Sequence, residues 1–449
     1  MDNKINWTVK RAIESTDKHY LFGFHDLLAW NHGNDRLLAI ETERIDVPPS
    51  STNQYPIGYV DGERQFHKFG DTRTFNYPQG ARQQWIGKTQ QVIVNDLRGN
   101  KVISKIYDTD DKQQVNELNY PTHVITDSGW AFGIDYGRLH RLGAYGYHGA
   151  LDQFASEDAP EHVGILKHNI HNGESHLILS LKDIANYKLD PSKGKHHYIT
   201  HLVLSPDQSR IAFLHRFKLS DGGETTRLCT IGINGADLRC LASGFMSHFD
   251  WMDNSNLMIC GRIGSNVEKL RNSTLYNLIP SDLLAVGKKL IKKAVGRKKG
   301  VPSANKFWLK VSDEINSEIT RVGEGIMISD GHPMFNPIDR KWLINDTYPN
   351  LEGIRELFLY NHTTNSRIEL GKFHMINVHP DLKLSEEILI DIDPDIMKTV
   401  GLRDMAFTRS GLHCDLHPRW SPDGKKVAFD SIHEGFRSIY VVQLENFVQ

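Results

Sequence analysis

One phrase recurs along this chain and limits what it can fold into more than any other feature. It is clearest as HPRWSPDGKKVAFD from His417 to Asp430, and it returns as HLVLSPDQSRIAFLHR from His201, HPMFNPIDRKWLINDTYP from His332, HFDWMDNSNLMICGR from His248 and HVITDSGWAFGIDYG from His123. Two looser copies, HDLLAWNHGNDRLLAIETER from His25 and ARQQWIGKTQQVIVNDLRG from Ala81, bring the count to seven. Each copy reads as a short strand, a tight turn of the Pro-Asp-Gly kind and a β-branched or aromatic strand running back, which together make a hairpin. Runs such as LCTIGING, ELFLYNHTTNSRIEL and SIYVVQL follow most copies and supply the remaining strands of a four-stranded sheet.

Seven such sheets predict an all-β chain, a seven-bladed β-propeller forming a single domain over 1–449. A β-sandwich also contains many hairpins, but not one hairpin repeated in phase. Trp7 to Ile13 is an orphan strand at one end, and it is predicted to pair with Tyr440 to Leu444 at the other, hiding both edges. Composition agrees: 39% apolar residues with 36 Gly provide a core and exclude wholesale disorder. With 53 Lys and Arg against 55 Asp and Glu, the net charge of −2 excludes a global field toward nucleic acid, so a charged partner must meet a local patch. The first residues lack the apolar run of a secretory signal, and four cysteines are too few for a disulfide framework, so a cytoplasmic chain with reduced thiols is expected.

In a propeller blade the residue that opens the first strand and those that close the second lie at one rim. The opening positions are His25, Arg82, His123, His201, His248, His332 and His417; the closing ones include Asp96, Asp135, Tyr136, Arg138, His140, His215, Arg216, Arg262, Asp346, Tyr348 and His433. A blade can also use a single His structurally, but imidazoles and guanidinium groups converging on one axis need a ligand, metal or water to satisfy them. The set points to a site for a polyanion. Arg82, Arg216, His123, Arg262, Asp346 and Tyr348 are the expected substrate contacts. The sharpest local constellation is the run from Gly411 to His417, GLHCDLH, with His433 sixteen residues later and His332 opening the neighbouring copy. Cys414, His417, His433 and His332 are the expected ligands of a divalent metal, zinc or manganese, with His413 a lesser candidate.

The Ser-Pro-Asp-Gly repeat resembles that of the Tol-system periplasmic propellers and of oligogalacturonate lyase, most closely in the copies at His201 and His417. The resemblance implies a metal held by propeller histidines, as the propeller ulvan lyases are similar in holding zinc with His and Cys, and it implies removal of the proton α to a uronate carboxylate. Such chemistry needs a neutraliser for the carboxylate, a base and an acid. The rim offers Arg82, Arg138 and Arg216 as neutralisers, His201 or His215 as base and Tyr136 or His140 as acid. By resemblance, His201 is the first choice as base and Arg138 as neutraliser, while the copy at His123 departs from the lyase pattern at the acid. The phrases FGFHD, QQWIG, YGRLHRLGAYGY, NDTYP and CDLHPRW also resemble uncharacterised propellers encoded with bacterial surface-polysaccharide biosynthesis.

The fifth copy carries an insertion, 264–305, in which SDLLAVGKKLIKKAVGRKK sets an apolar face against a lysine-rich one. A basic amphipathic helix over 281–299, lying on an anionic inner membrane face, is expected. The reading is therefore an acidic-polysaccharide-active propeller, with β-elimination as its reaction. The alternatives are a non-catalytic module that binds glycan or scaffolds polysaccharide-assembly enzymes, and a hydrolase using Asp96, Asp135 or Asp346.

Overall fold

The computed structural model describes residues 5–187, 194–219, 223–263, 306–375, 389 and 391–447. The insertion 264–305, and with it the expected membrane helix, lies outside the described residues. The repeat's turn explains its composition. In the copy at His417, the Ser421 hydroxyl donates to Asp423 (2.5 Å) and accepts from the Lys426 amide (2.9 Å), while Gly424 takes a left-handed φ of +66°. The copy at His201 repeats this, with Ser205 bonded to Asp207 (2.6 Å) and to the Arg210 amide (3.0 Å), and Gln208 at φ +58°. Ser and Asp are thus the residues whose short side chains close this turn on its own backbone.

Among the described residues the strands form five antiparallel sheets of four strands and one of seven. The larger sheet contains two copies of the repeat, because Arg239–Trp251 is one continuous strand. Its first half pairs with Glu224–Gly232, and its second half, past Gly244, with Asn256–Ile263. Two separate sheets were expected there. No proline or Asp-Gly-type turn interrupts GFMSHFDW, so the outer strand of one copy runs on into the inner strand of the next. The expected terminal pairing is present: Asn6–Arg11 lies antiparallel to Ser438–Glu445, from Asn6 opposite Glu445 to Arg11 opposite Tyr440.

The chain divides into two compact units, Met1–Gln153 with Leu166–His176 and Gly331–Gln449, and Phe154–Ile165 with Leu177–Asp330. Within each unit, a tryptophan of the repeat ties its copy to the preceding one. In the first unit the Trp420 indole donates to the Met334 carbonyl (3.0 Å) and that of Trp85 to Ala29 (3.1 Å); in the second, Trp251 donates to Val203 (3.0 Å). The copy at His123 breaks phase at its end. The Asp135 carboxylate accepts the Arg138 amide (2.8 Å) and caps a helix, Tyr136–Arg141, where strand-closing residues were expected. No helix among the described residues is long and apolar enough to cross a membrane.

Candidate metal centre

In the first unit the residues opening three copies meet. The His332 and His417 rings cross at 4.2 Å and 85°, and the His25 ring lies 5.5 Å from the first and 6.2 Å from the second. Gly331 permits the Asp346 backbone to pass close by, since a Cβ there would lie 1.9 Å from the Asp346 carbonyl oxygen. His332, Asp415 and His417 are buried and bring ligand atoms within 4.8 Å of one another. Asp415 Oδ2 stands 4.0 Å from His332 Nε2, 3.9 Å from His417 Nε2 and 3.8 Å from His413 Nδ1.

The groups behind these side chains fix their orientation. Asp346 accepts from His332 Nδ1 (2.8 Å) and from the His332 amide (2.7 Å), and its other oxygen accepts the Leu416 and His417 amides. With Nδ1–H committed to a carboxylate, the neutral His332 ring carries its lone pair on Nε2, the atom that faces Asp415. His25 is oriented alike, its Nδ1 on the Pro333 carbonyl at 2.8 Å. Arg355 grips the other oxygen of Asp415 at 2.5 Å and lies beside the Tyr348 ring. Burial lowers the His332 imidazole, but the carboxylates of Asp346 and Asp415 outweigh it and the net shift is upward. Counting Asp346, Asp415 and Arg355, the pocket is one charge negative with neutral imidazoles. Two imidazoles and a carboxylate, backed by a second carboxylate, are a donor set suited to a divalent cation.

Two expected ligands lie elsewhere. Cys414 is buried in an apolar cluster with Ile45, Tyr77, Ala428 and Ile432, and burial pushes its thiol up to about 12. His433 bonds Ser431 Oγ (2.8 Å) and rests on the Phe373 and Tyr440 rings. Asp415 lies at the cluster instead, near His413 and His417, while Cys414 and Leu416 pack into apolar clusters.

The expected carboxylate-binding arginines are already paired. Arg82, fully buried, holds both oxygens of Asp26 (2.9 and 3.0 Å) and the His123 carbonyl. Arg138 lies 3.3 Å from Asp152, and Arg216 lies 3.1 Å from Glu224. His123 Nδ1 meets the Tyr136 hydroxyl at 2.8 Å, and Tyr136 stacks on Tyr147. His140, in the last turn of its helix, is pushed down to about 3 by burial and then by Arg409. The carboxylates proposed for hydrolysis are also engaged: Asp96 with Lys105, Asp135 as the helix cap and Asp346 with His332.

In the second unit, His201 contacts the Thr200 hydroxyl through Nδ1, and its ring lies 6.1 Å from that of His248. His248 Nδ1 faces Asp330 at 3.1 Å, and Lys306 holds the other Asp330 oxygen at 3.1 Å, a carboxylate partner that the repeat did not indicate. Arg262 lies on its strand opposite Phe245. His215 is buried and its ring nitrogens are used by Arg227 and His197, so it is not placed to act as a base. Arg82 (φ +52°), His201 (+59°) and His417 (+43°) share a left-handed backbone at the same repeat position. Each costs a non-glycine residue about 1–3 kcal/mol, so the surrounding fold imposes it.

Two solved structures resemble this chain over nearly its whole length. Oligogalacturonate lyase in complex with manganese aligns at 14% identity and a TM-score of 0.58, covering 99% of this chain and 96% of that one. Oligogalacturonate lyase from Vibrio parahaemolyticus aligns at 14% identity and a TM-score of 0.56, covering 99% and 98%. At this identity the likeness is one of fold, a β-propeller-like arrangement. No family model matches the chain, and no curated protein does.

Proposed function

We propose that this chain is a divalent-metal-dependent lyase that cleaves uronate glycosides in acidic polysaccharides by β-elimination, on a propeller of seven repeats. The observation that carries the reading is the His332, His417 and Asp415 cluster, with Asp346 orienting His332. Manganese is the first metal to test, because the solved oligogalacturonate lyase complex holds it; zinc is the second. A cation bound there would neutralise the substrate carboxylate and acidify the proton α to it. That role falls to the cation because Arg82, Arg138 and Arg216 are engaged with Asp26, Asp152 and Glu224. His201, the base that the repeat suggests, is tested by substitution. Asp346 and Arg355 move no proton and hold His332 and Asp415 in place.

The test pairs two measurements on the full chain: manganese or zinc binding by calorimetry, and new double bonds in a panel of uronate-containing bacterial polysaccharides. His332→Ala is expected to lose both metal and product, and His201→Ala to lose product alone. Metal binding without product from any uronate polymer would overturn the lyase and favour a glycan-binding or scaffold role for polysaccharide assembly. New reducing ends without double bonds would replace it with a hydrolase.

A further inference from the structure

The second unit holds a feature that this chemistry does not use. Cys229 and Cys240 are direct partners across two antiparallel strands of its sheet, and both are buried free thiols. Directly opposed residues project to the same face with Cβ atoms about 4.5–5.5 Å apart, close to the span a disulfide needs. The pair sits at a bulge: Leu228 faces Ala242, then Cys229 faces Cys240, leaving Leu241 as the extra residue. An irregular ladder gives the backbone there more freedom to adjust than a regular one.

The surroundings make the two sulfurs unequal. Hydrogen bonding with Cys229 and the adjacent Arg227 guanidinium hold the Cys240 thiol down against the effect of burial, whereas burial and the hydrogen bond to Cys240 push Cys229 up. Arg227 is itself anchored, donating to His215 Nδ1 (2.9 and 3.1 Å) and to the Ile184 carbonyl (2.6 Å), so its charge stays beside Cys240. The other two cysteines lack such a setting. Cys260 is pushed up by burial and by Asp330, and Cys414 is pushed up by burial despite the nearby Arg437.

We propose that Cys229 and Cys240 are a peroxide-responsive thiol pair that closes to a cross-strand disulfide, with Cys240 the attacking sulfur and Cys229 the resolving one. The Cys240 thiolate attacks hydrogen peroxide, forming a sulfur–oxygen bond as the oxygen–oxygen bond breaks; the departing hydroxide takes a proton and leaves as water. Cys229 sulfur then displaces the hydroxyl from the sulfenic acid, forming the sulfur–sulfur bond and releasing a second water. Both cysteines are oxidised, and one peroxide is reduced to two waters. Arg227 acts as a positioning residue for the thiolate.

The experiment treats the full-length folded protein with hydrogen peroxide, alkylates it after denaturation and maps the peptides. Reduced protein should alkylate at all four cysteines, and peroxide-treated protein at Cys260 and Cys414 only, with one disulfide-linked peptide joining Cys229 to Cys240. Cys229→Ser should leave a dimedone-reactive sulfenic acid at Cys240, and Arg227→Lys should slow closure at neutral pH more than at high pH. Protein unfolded in urea before oxidation should give mixed pairings, which keeps the test decisive if a variant fails to fold. Four alkylated cysteines after peroxide, or a disulfide involving Cys260 or Cys414 in the folded chain, would overturn the proposal.

Discussion

Two buried imidazole pairs, one in each unit, show how neighbours decide what a histidine can do. His197 and His215 stack at 5.1 Å, and their hydrogen bonds run in one direction. Arg227 donates to His215 Nδ1, His215 Nε2–H donates to His197 Nδ1 (3.0 Å), and His197 Nε2–H donates to the Gly194 carbonyl (3.0 Å). Every ring nitrogen is used, and burial, then Arg227, holds His215 well below its ordinary value. His332 and His417 cross at 4.2 Å among carboxylates, and His332 shifts the other way. A guanidinium at the end of the chain locks an imidazole neutral and structural, whereas carboxylates behind and beside it orient a lone pair and favour positive charge.

The largest effect expected from breaking this contrast is at Asp415. Asp415→Asn removes the only charge opposite the buried Arg355 guanidinium that the described ion pairs show, as well as a candidate ligand. Stability should fall by about 3–5 kcal/mol in urea unfolding, the cost of leaving one partner of a buried pair uncompensated. A loss below about 1 kcal/mol would mean that Arg355 contributes through other contacts.

A smaller effect is expected in the second pair. His215→Phe removes the acceptor of Arg227 and the donor to His197, and should cost about 1–3 kcal/mol without changing metal affinity. The sign with pH follows from its lowered value. The unfolded chain takes up a proton below about pH 6.5 that the folded His215 refuses, so stability is lost as pH falls through 6.5. His168 and His140, pushed by burial to about 4 and about 3, add losses of the same sign. Unfolding midpoints at pH 8 and pH 5 check this: wild type should lose more between them than His215→Phe, and equal losses would show that His215 titrates normally when folded.

The repeat was legible because a Ser-Pro-Asp-Gly turn announces itself in local sequence, and so was the pairing of Trp7 to Ile13 with Tyr440 to Leu444, since two lone strands at opposite ends need partners. His332 and His417 could be paired because repeat phase converts distance along the chain into proximity. Phase says nothing about which carboxylate answers a cation. Asp26, Asp152 and Glu224 lie outside the quoted rim positions, yet they engage the three arginines expected to bind substrate. The helix at Tyr136–Arg141 was hidden for a related reason: DYGRLHR carries a capping Asp, but the preceding strand made continued extension the simpler reading.

The smallest effect sharpens the boundary of the metal cluster. His433 and His332 belong to neighbouring copies, and spacing alone made both ligands. In the structure, the His433 ring lies 4.6 Å from Tyr440 and 5.0 Å from Phe373, and its Nδ1 meets Ser431 Oγ. Burial holds it below its ordinary value, with only Glu434 opposing, and that carboxylate is shared with Arg11 and the Tyr440 hydroxyl. His433→Ala should therefore cost about 0.5–1.5 kcal/mol from lost ring contacts and leave manganese or zinc affinity unchanged in calorimetry. A tenfold loss of metal affinity would bring His433 into the coordination sphere and require Ser431 to release it on binding.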